Sequence, residues 1–143
     1  MYFEDLNVGM KYKSRSLTIT ETHLVIFGHL TTDLNPIHMD AHYAAKYPFK
    51  KRIAHGMLTS ALAQASVAPY LGAEDIATHL EDYYVYRDPV FIGDTLFTEY
   101  EITELSPKKK WGLVRVDLKT TNQDGRVVMH GYTKVGFYYR PKR

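Results

Sequence analysis

A carboxylate and an imidazole lie close together in the segment Asp33-Leu34-Asn35-Pro36-Ile37-His38. These two groups are the usual pair for moving protons near pH 7. Pro36 stiffens the turn between them, because proline fixes its own φ and restricts the residue before it. The spacing therefore predicts a general acid–base pair, Asp33 and His38. The structural alternative is an ordinary turn-forming aspartate followed by a loop histidine.

A second chemical feature follows downstream, at His55-Gly56-Met57. Gly56 lies within residues 53–73, a segment that contains no Asp, Glu, Lys or Arg. The N-terminus of a helix presents unpaired N–H groups, and glycine lets a ligand carbonyl approach them. We therefore expect the Gly56 N–H to bind a developing oxyanion. A glycine that merely precedes a helix is the alternative.

A metal site is the main chemical alternative. His38 and His42 have i, i+4 spacing, with Asp40 between them and His55 downstream, and zinc binds such sets. However, Pro36 and an N-cap at Asp40 predict that the helix begins after His38, so the two imidazoles would not share a helical face. We therefore expect no metal. The chain has no cysteine, which excludes disulfides and a cysteine nucleophile. It also has no nucleotide-binding or serine-hydrolase motif.

The composition predicts one globular domain over residues 1–143, with 45% hydrophobic and 24% charged residues. A formal net charge of +2 gives no reason to expect nucleic acid. The uncharged segment is long enough to span a bilayer, but its polar and small residues favour a helix buried within the protein. The acidic N-terminus does not resemble a signal peptide. We therefore expect a cytoplasmic protein that binds neither nucleic acid nor a membrane.

The elements that must position these residues form a helical first half and a β-rich second half. In the first half we predict a strand near 11–19, a helix over 21–31 capped by Thr18 or Thr20, one or two turns from Asp40 to Tyr47, and a long helix from Gly56 to about Leu71. In the second half we predict strands near 78–87, 95–105, 114–121 and 127–139. The result is an α+β fold, in which a curved four-stranded meander and the N-terminal strand surround the buried long helix. Its open sheet edges would favour pairing with a second copy.

Three strings together resemble the MaoC-like dehydratases, the (R)-specific enoyl-CoA hydratases of the hot-dog fold. They are Asp-Leu-Asn-Pro-Ile-His-Met-Asp (33–40), Arg-Ile-Ala-His-Gly-Met-Leu (52–58) and Pro-Val-Phe-Ile-Gly-Asp-Thr-Leu (89–96). The resemblance covers nearly the whole chain. It implies a single hot-dog domain whose sheet continues across a homodimer, or a higher assembly of dimers. It also implies a hydro-lyase that adds water reversibly to a trans-2-enoyl thioester and gives an (R)-3-hydroxyacyl thioester, with no cofactor beyond the coenzyme A or acyl carrier protein of the substrate.

The resemblance also implies roles for individual residues. Asp33 and His38 would hold the catalytic water, and the Gly56 N–H would receive the thioester oxygen. The expected substrate contacts are Asn35, His55, Met57, Ser60 and Gln64, with the coenzyme A phosphates near Lys50, Lys51 or Arg52. Gln64 and the tyrosine-rich segment 82–88 indicate a short or polar acyl group. Two alternatives stay open, a hot-dog thioesterase and a non-catalytic acyl-CoA-binding subunit.

Overall fold

The computed structural model describes residues 1–67, 71 and 76–141, and over these ranges it contains one antiparallel sheet, four α-helices and a short 3₁₀ helix, Phe3–Asp5. The strands are β1 (Lys11–Lys13), β2 (Leu17–Thr18), β3 (Ile76–Tyr86), β4 (Thr95–Pro107), β5 (Gly112–Thr121) and β6 (Val127–Phe137). The helices are α1 (Glu21–Thr31), α2 (Pro36–Met39), α3 (Ala41–Ala44) and α4 (Gly56–Ala65). No helix in the described ranges is long and apolar enough to cross a membrane.

The strands follow the order β1-β4-β5-β6-β3, and β2 also pairs with β4. The predicted meander is therefore correct for β4, β5 and β6 but wrong for β3, which pairs with β6, as in the Tyr84–Gly131 pair. β3 does not lie beside β4 because the N-terminal strands occupy the second edge of β4. These are two short strands, separated at 14–16, and not the one continuous strand predicted over 11–19.

The core lies between the inner face of this sheet and the helices. Alternate side chains of β4, β5 and β6 are buried, as the period of two predicts: Ile102, Val114, Val116, Val135 and Phe137. Leu24 of α1 and Leu58 of α4 belong to the same buried cluster. A bulge in β4 between Ile102 and Glu104 bends the strand. A curved sheet around a central helix is the hot-dog arrangement that the resemblance implies.

One side of α4 remains open, although the whole helix was predicted to be buried. Leu58, Thr59, Ser60 and Ala63 are buried against the rest of the chain. Met57, Ala61 and Ala65, spaced four residues apart, are exposed, with Met57 at 71%. The prediction of complete burial is therefore wrong for a single copy, because nothing in the described chain covers this apolar stripe. α4 ends at Ala65, with Ser66 as its C-cap, and so stops short of the predicted end near Leu71. Residues 68–70 lie outside the described ranges.

Candidate active site

A left-handed residue at the end of α1 positions Asp33. α1 begins and ends where the sequence predicts, and its C-cap Thr32 has a φ of 61°. A left-handed residue commonly ends a helix and turns the chain sharply. Gly28 lies beneath this turn, and a Cβ there would lie 3.3 Å from the Asp33 carbonyl oxygen. The small residue in α1 thus allows the turn carrying Asp33 to lie directly against the helix.

His38 lies on α2, a one-turn helix where a loop was predicted. Proline is well tolerated at its first position, because an N–H there would have no intrahelical partner. The Asn35 side chain accepts the Ile37 N–H at 3.1 Å and so caps α2. Asn35 was predicted to contact substrate, but its side chain is used to start the helix that carries His38.

The tautomer of His38 follows from its hydrogen bond. Its Nδ1 lies 2.7 Å from the Ile53 carbonyl oxygen, which can only accept, so Nδ1 carries the proton and Nε2 is an acceptor. Burial lowers the pKa of His38 below its ordinary value of 6.5, while the hydrogen bond to Ile53 acts in the opposite direction. At neutral pH the imidazole is therefore uncharged and can accept a proton at Nε2.

His55 contacts both His38 and the turn that carries Asp33. Its ring stacks on the ring of His38, with centroids 3.9 Å apart and an interplanar angle of 30°. Its Nε2 donates to the Asp33 carbonyl oxygen at 2.9 Å. The side chain is only 2% exposed, so it has almost no surface to offer a ligand. We interpret His55 as a support for both catalytic candidates, which replaces the expectation that it contacts substrate.

The structure brings the predicted pair together. One side-chain ligand atom from each of Asp33, His38 and His55 lies within 4.8 Å of the other two. Such a group could be considered for a metal ion. However, the planes of the stacked imidazoles are only 30° apart, so nitrogens that lie in these two planes do not converge readily on one ion. Asp40, from the alternative metal set, caps α3 by accepting the Tyr43 N–H. The geometry favours acid–base chemistry.

A cavity of about 410 Å³ opens beside His38 and Gly56. Gly56 is the first residue of α4, where N–H groups have no partner within the helix. A Cβ on Gly56 would lie 3.1–3.2 Å from three carbons of the Tyr86 ring, which also lines the cavity. A larger concavity of about 720 Å³ lies among charged side chains such as Lys11, Glu99 and Lys119, and none of the predicted catalytic residues line it. We therefore assign the candidate active site to the smaller cavity.

The remaining predicted substrate contacts lie along α4. Ser60 is 6% exposed, and its hydroxyl donates to the Met57 carbonyl oxygen and accepts from the Tyr86 hydroxyl, both at 3.1 Å. Gln64 lies one turn further on, with its Nε2 3.2 Å from His79 Nδ1. Met57 projects from the exposed stripe, away from the residues that line the cavity. Tyr86 was not among the predicted contacts, although its alternation with Asp82 and Tyr84 could have indicated a shared face of β3.

One of the three expected phosphate contacts is already ion-paired within the protein. Arg52 forms an ion pair with Glu21 at the start of α1, and this pairing lowers the pKa of Glu21 through the hydrogen bond from Arg52. The Lys51 ammonium lies 5.4 Å from the centroid of the Phe91 ring. Arg87, which lines the cavity, was not predicted and bonds His130.

Known proteins resemble this chain over most of its length. The model of the MaoC like domain matches residues 5–124. The "3-hydroxybutyryl-CoA dehydratase" of Methylorubrum extorquens is 37% identical over 110 residues, which cover 77% of this chain and 69% of that protein. The "(R)-specific enoyl-CoA hydratase" of Rhodospirillum rubrum is 35% identical over 134 residues, covering 94% and 90%. The solved structure of R-hydratase PhaJ1 from Pseudomonas aeruginosa, in its unliganded form, has a TM-score of 0.85 at 36% identity and covers 97% and 86%. The chain therefore belongs to the MaoC-like domain family.

Proposed function

We propose that the protein is a hydro-lyase that adds water reversibly to a trans-2-enoyl thioester, with enoyl-CoA as the substrate class, and gives the (R)-3-hydroxyacyl thioester. The observation that carries this proposal is that ligand atoms of Asp33 and His38 lie within 4.8 Å of one another, beside a cavity that His38 and Gly56 line. The names of the relatives from Methylorubrum extorquens and Rhodospirillum rubrum support the reaction, and the second supports the configuration.

The reaction follows from the donors and acceptors around the cavity. The Gly56 N–H donates to the thioester oxygen, which makes the β-carbon electrophilic and stabilises the enolate that forms. A water molecule donates one hydrogen bond to the Asp33 carboxylate and one to His38 Nε2. Its oxygen bonds to the β-carbon as one of the two residues takes a proton from it, and the same proton is then delivered to the α-carbon. The elements of water are thus added across the double bond, and no other reactant is consumed.

Incubation with crotonyl-CoA distinguishes this reaction from the two alternatives. A hydratase removes the enoyl absorbance and releases no free thiol, whereas a thioesterase releases thiol at the rate at which substrate disappears. A binding subunit does neither, although it binds the unreactive butyryl-CoA in calorimetry. We expect hydration, with a product that chiral chromatography identifies as the (R) isomer. Thiol release, or binding without turnover across a panel of enoyl-CoAs, would contradict the proposal.

We also propose that the protein works as a homodimer. β3 is a sheet edge, because only β6 pairs with it in the described chain, and an edge strand is a template for a second copy. The exposed stripe of Met57, Ala61 and Ala65 supplies an apolar surface that a partner would cover. Light scattering at micromolar concentration should give twice the 16.5 kDa of one chain. Ala61→Glu should shift the particle towards the monomer, and a monomeric wild-type protein would contradict this proposal.

The remaining parts of the function are proposed on chemical grounds. The two catalytic acceptors and the Gly56 N–H supply the whole reaction, so we propose that it needs no cofactor beyond the thioester carrier. We place the carrier phosphates near Lys50 and Lys51, since Arg52 is paired with Glu21. We also propose a cytoplasmic location, because a chain without cysteine gains nothing from an oxidising compartment.

A further inference from the structure

Tyr86 lies at the point where the cavity meets α4. It is the last residue of β3, and it lines the cavity together with His38 and Gly56. The ring is in close contact with Gly56, because a Cβ there would approach three of its ring carbons to 3.1–3.2 Å. Tyr86 is thus the large side chain nearest to the proposed oxyanion site on the strand side of the cavity.

A hydrogen bond ties this ring to the helix. The Tyr86 hydroxyl donates to Ser60 Oγ at 3.1 Å, and Ser60 in turn donates to the Met57 carbonyl oxygen. The bridge therefore joins β3 to α4 at Ser60, which lies four residues beyond Gly56. The ring carbon that carries the Tyr86 hydroxyl would lie 3.1 Å from a Cβ on Gly56, so this end of the ring covers the start of α4. An acyl chain that extends along α4 from the Gly56 N–H would therefore meet the ring close to Gly56.

A second side-chain hydrogen bond joins β3 to α4. Gln64 Nε2 lies 3.2 Å from His79 Nδ1, so the strand and the helix are connected again one turn further on. His79 also bonds the Asp82 carboxylate at 2.9 Å, and Asp82 accepts the Tyr84 hydroxyl at 2.9 Å. An apolar tail that passed Tyr86 would therefore separate hydrogen-bonded polar groups without replacing their bonds, which is unfavourable.

We propose that Tyr86, held by Ser60, limits the length of the acyl group and makes the protein selective for short enoyl thioesters. Because the hydroxyl-bearing end of the ring lies against Gly56, the ring leaves little depth beyond the Gly56 N–H for a long acyl chain. This inference rests on the proposed function, because it takes Gly56 as the residue that receives the thioester oxygen. It assigns selectivity to Tyr86, not to the residues that move protons.

The test compares kcat/KM for crotonyl-CoA and trans-2-octenoyl-CoA. The wild-type protein should prefer the four-carbon substrate, and Tyr86→Ala should reduce the preference by about 10-fold or more, since single methylenes in a pocket are worth about 10- to 200-fold. Tyr86→Phe retains the ring and should keep most of the preference. Tyr83→Ala is the matched control, because Tyr83 lies on the same strand and stacks on Tyr132 instead of lining the cavity.

A binding measurement separates this inference from the proposed reaction. Butyryl-CoA and octanoyl-CoA lack the double bond and cannot be hydrated, so calorimetry reports acyl selection whether or not the protein is a hydratase. We expect wild-type protein to bind butyryl-CoA more tightly and Tyr86→Ala to lose that preference. Equal binding of both ligands by the wild type, or an unchanged preference in a folded Tyr86→Ala variant, would overturn the inference. Loss of turnover on every enoyl-CoA with butyryl preference intact would contradict only the proposed reaction.

Discussion

The two ends of the cavity are held together in different ways. At the proton-transfer end, the rings of His38 and His55 bond main-chain carbonyls, those of Ile53 and Asp33. At the end where Tyr86 lines the cavity, side chains bond other side chains, as in the Tyr86–Ser60 pair and, one turn further along α4, the Gln64–His79 pair. The first kind of contact uses an acceptor that every residue possesses, whereas the second needs two particular residues at once.

Because of this difference, the residues that fix the proton-transfer geometry can be distinguished from those that we propose to set substrate selectivity. A substitution cannot remove a backbone carbonyl, so the geometry around Asp33 and His38 is insensitive to the identity of Ile53. A single substitution removes either side-chain bridge and opens the space between β3 and α4. The same catalytic end can therefore be combined with different acyl pockets.

The largest expected effect comes from the catalytic pair. Asp33→Asn keeps the shape of the side chain but removes its charge, and His38→Ala removes the acceptor nitrogen. Each should lower the hydration rate by at least about 100-fold, within the 100- to 10,000-fold typical of general acid–base groups. The double variant should lose only slightly more, because both residues act on one water. Circular dichroism must show folded proteins, and near-wild-type rates in folded variants would mean that the pair is not catalytic.

The next expected effect is a dependence on pH. Burial lowers the pKa of His38 below 6.5, and only the neutral ring offers Nε2 as an acceptor. The value of kcat/KM should therefore stay constant as pH falls to about 6.5, and should decrease by roughly 10-fold per pH unit below the lowered pKa. In the folded state His38 binds a proton less readily than it does in the unfolded chain. The contribution of His38 to the free energy of unfolding should therefore decrease as the pH falls through the same acidic range. An acid limb centred above pH 6.5 would contradict the neutral, buried imidazole.

His55→Phe should have a smaller effect. Phenylalanine keeps an aromatic ring against His38 but loses the donor to the Asp33 carbonyl. His55 Nδ1 is buried without a hydrogen-bond partner among the described residues. Replacing this nitrogen with a ring carbon of phenylalanine therefore breaks no hydrogen bond at that position. We expect kcat to fall by about 10-fold with KM unchanged, in line with the loss of one net hydrogen bond of about 1 kcal/mol. His55→Ala should also lower stability, by about 2–5 kcal/mol, because it leaves a cavity.

An increase in KM with unchanged kcat in His55→Phe would instead indicate a substrate contact, the role first expected for this residue. Thermal denaturation of both variants provides the control, because packing loss alone should affect the alanine variant far more than the phenylalanine variant.

Short-range signals in the sequence were sufficient for much of this molecule. The bounds of α1, the helix break before Pro36 and the period of two in β5 each depend on a few neighbouring residues, and the structure confirms them. The motif also identified Asp33 and His38, which the fold brings together. The one-turn helix α2 was missed, since a proline that stops one helix can equally begin another.

What the sequence did not predict depends on contacts between distant segments. β3 pairs with β6 because the second edge of β4 is occupied by the N-terminal strands, and chain order does not encode that competition. This pairing also brings Tyr86 to Gly56. Likewise, the His55 ring is buried in contact with the rings of Phe27 and His38, and these three residues are far apart in the chain.

The smallest expected effect tests whether the catalytic end is indeed held by the main chain. Asn35→Ala removes the cap of α2, and Asp40→Ala is a matched control that removes the cap of α3. Each should lower the free energy of unfolding by roughly 1 kcal/mol, measured by urea denaturation. Because the Ile53 carbonyl still holds the His38 ring, Asn35→Ala should reduce kcat only a few-fold, and Asp40→Ala should leave it unchanged. A 100-fold loss in Asn35→Ala alone, at equal stability, would show that a side chain and not the backbone fixes the catalytic geometry, and the contrast between the two ends of the cavity would then be wrong.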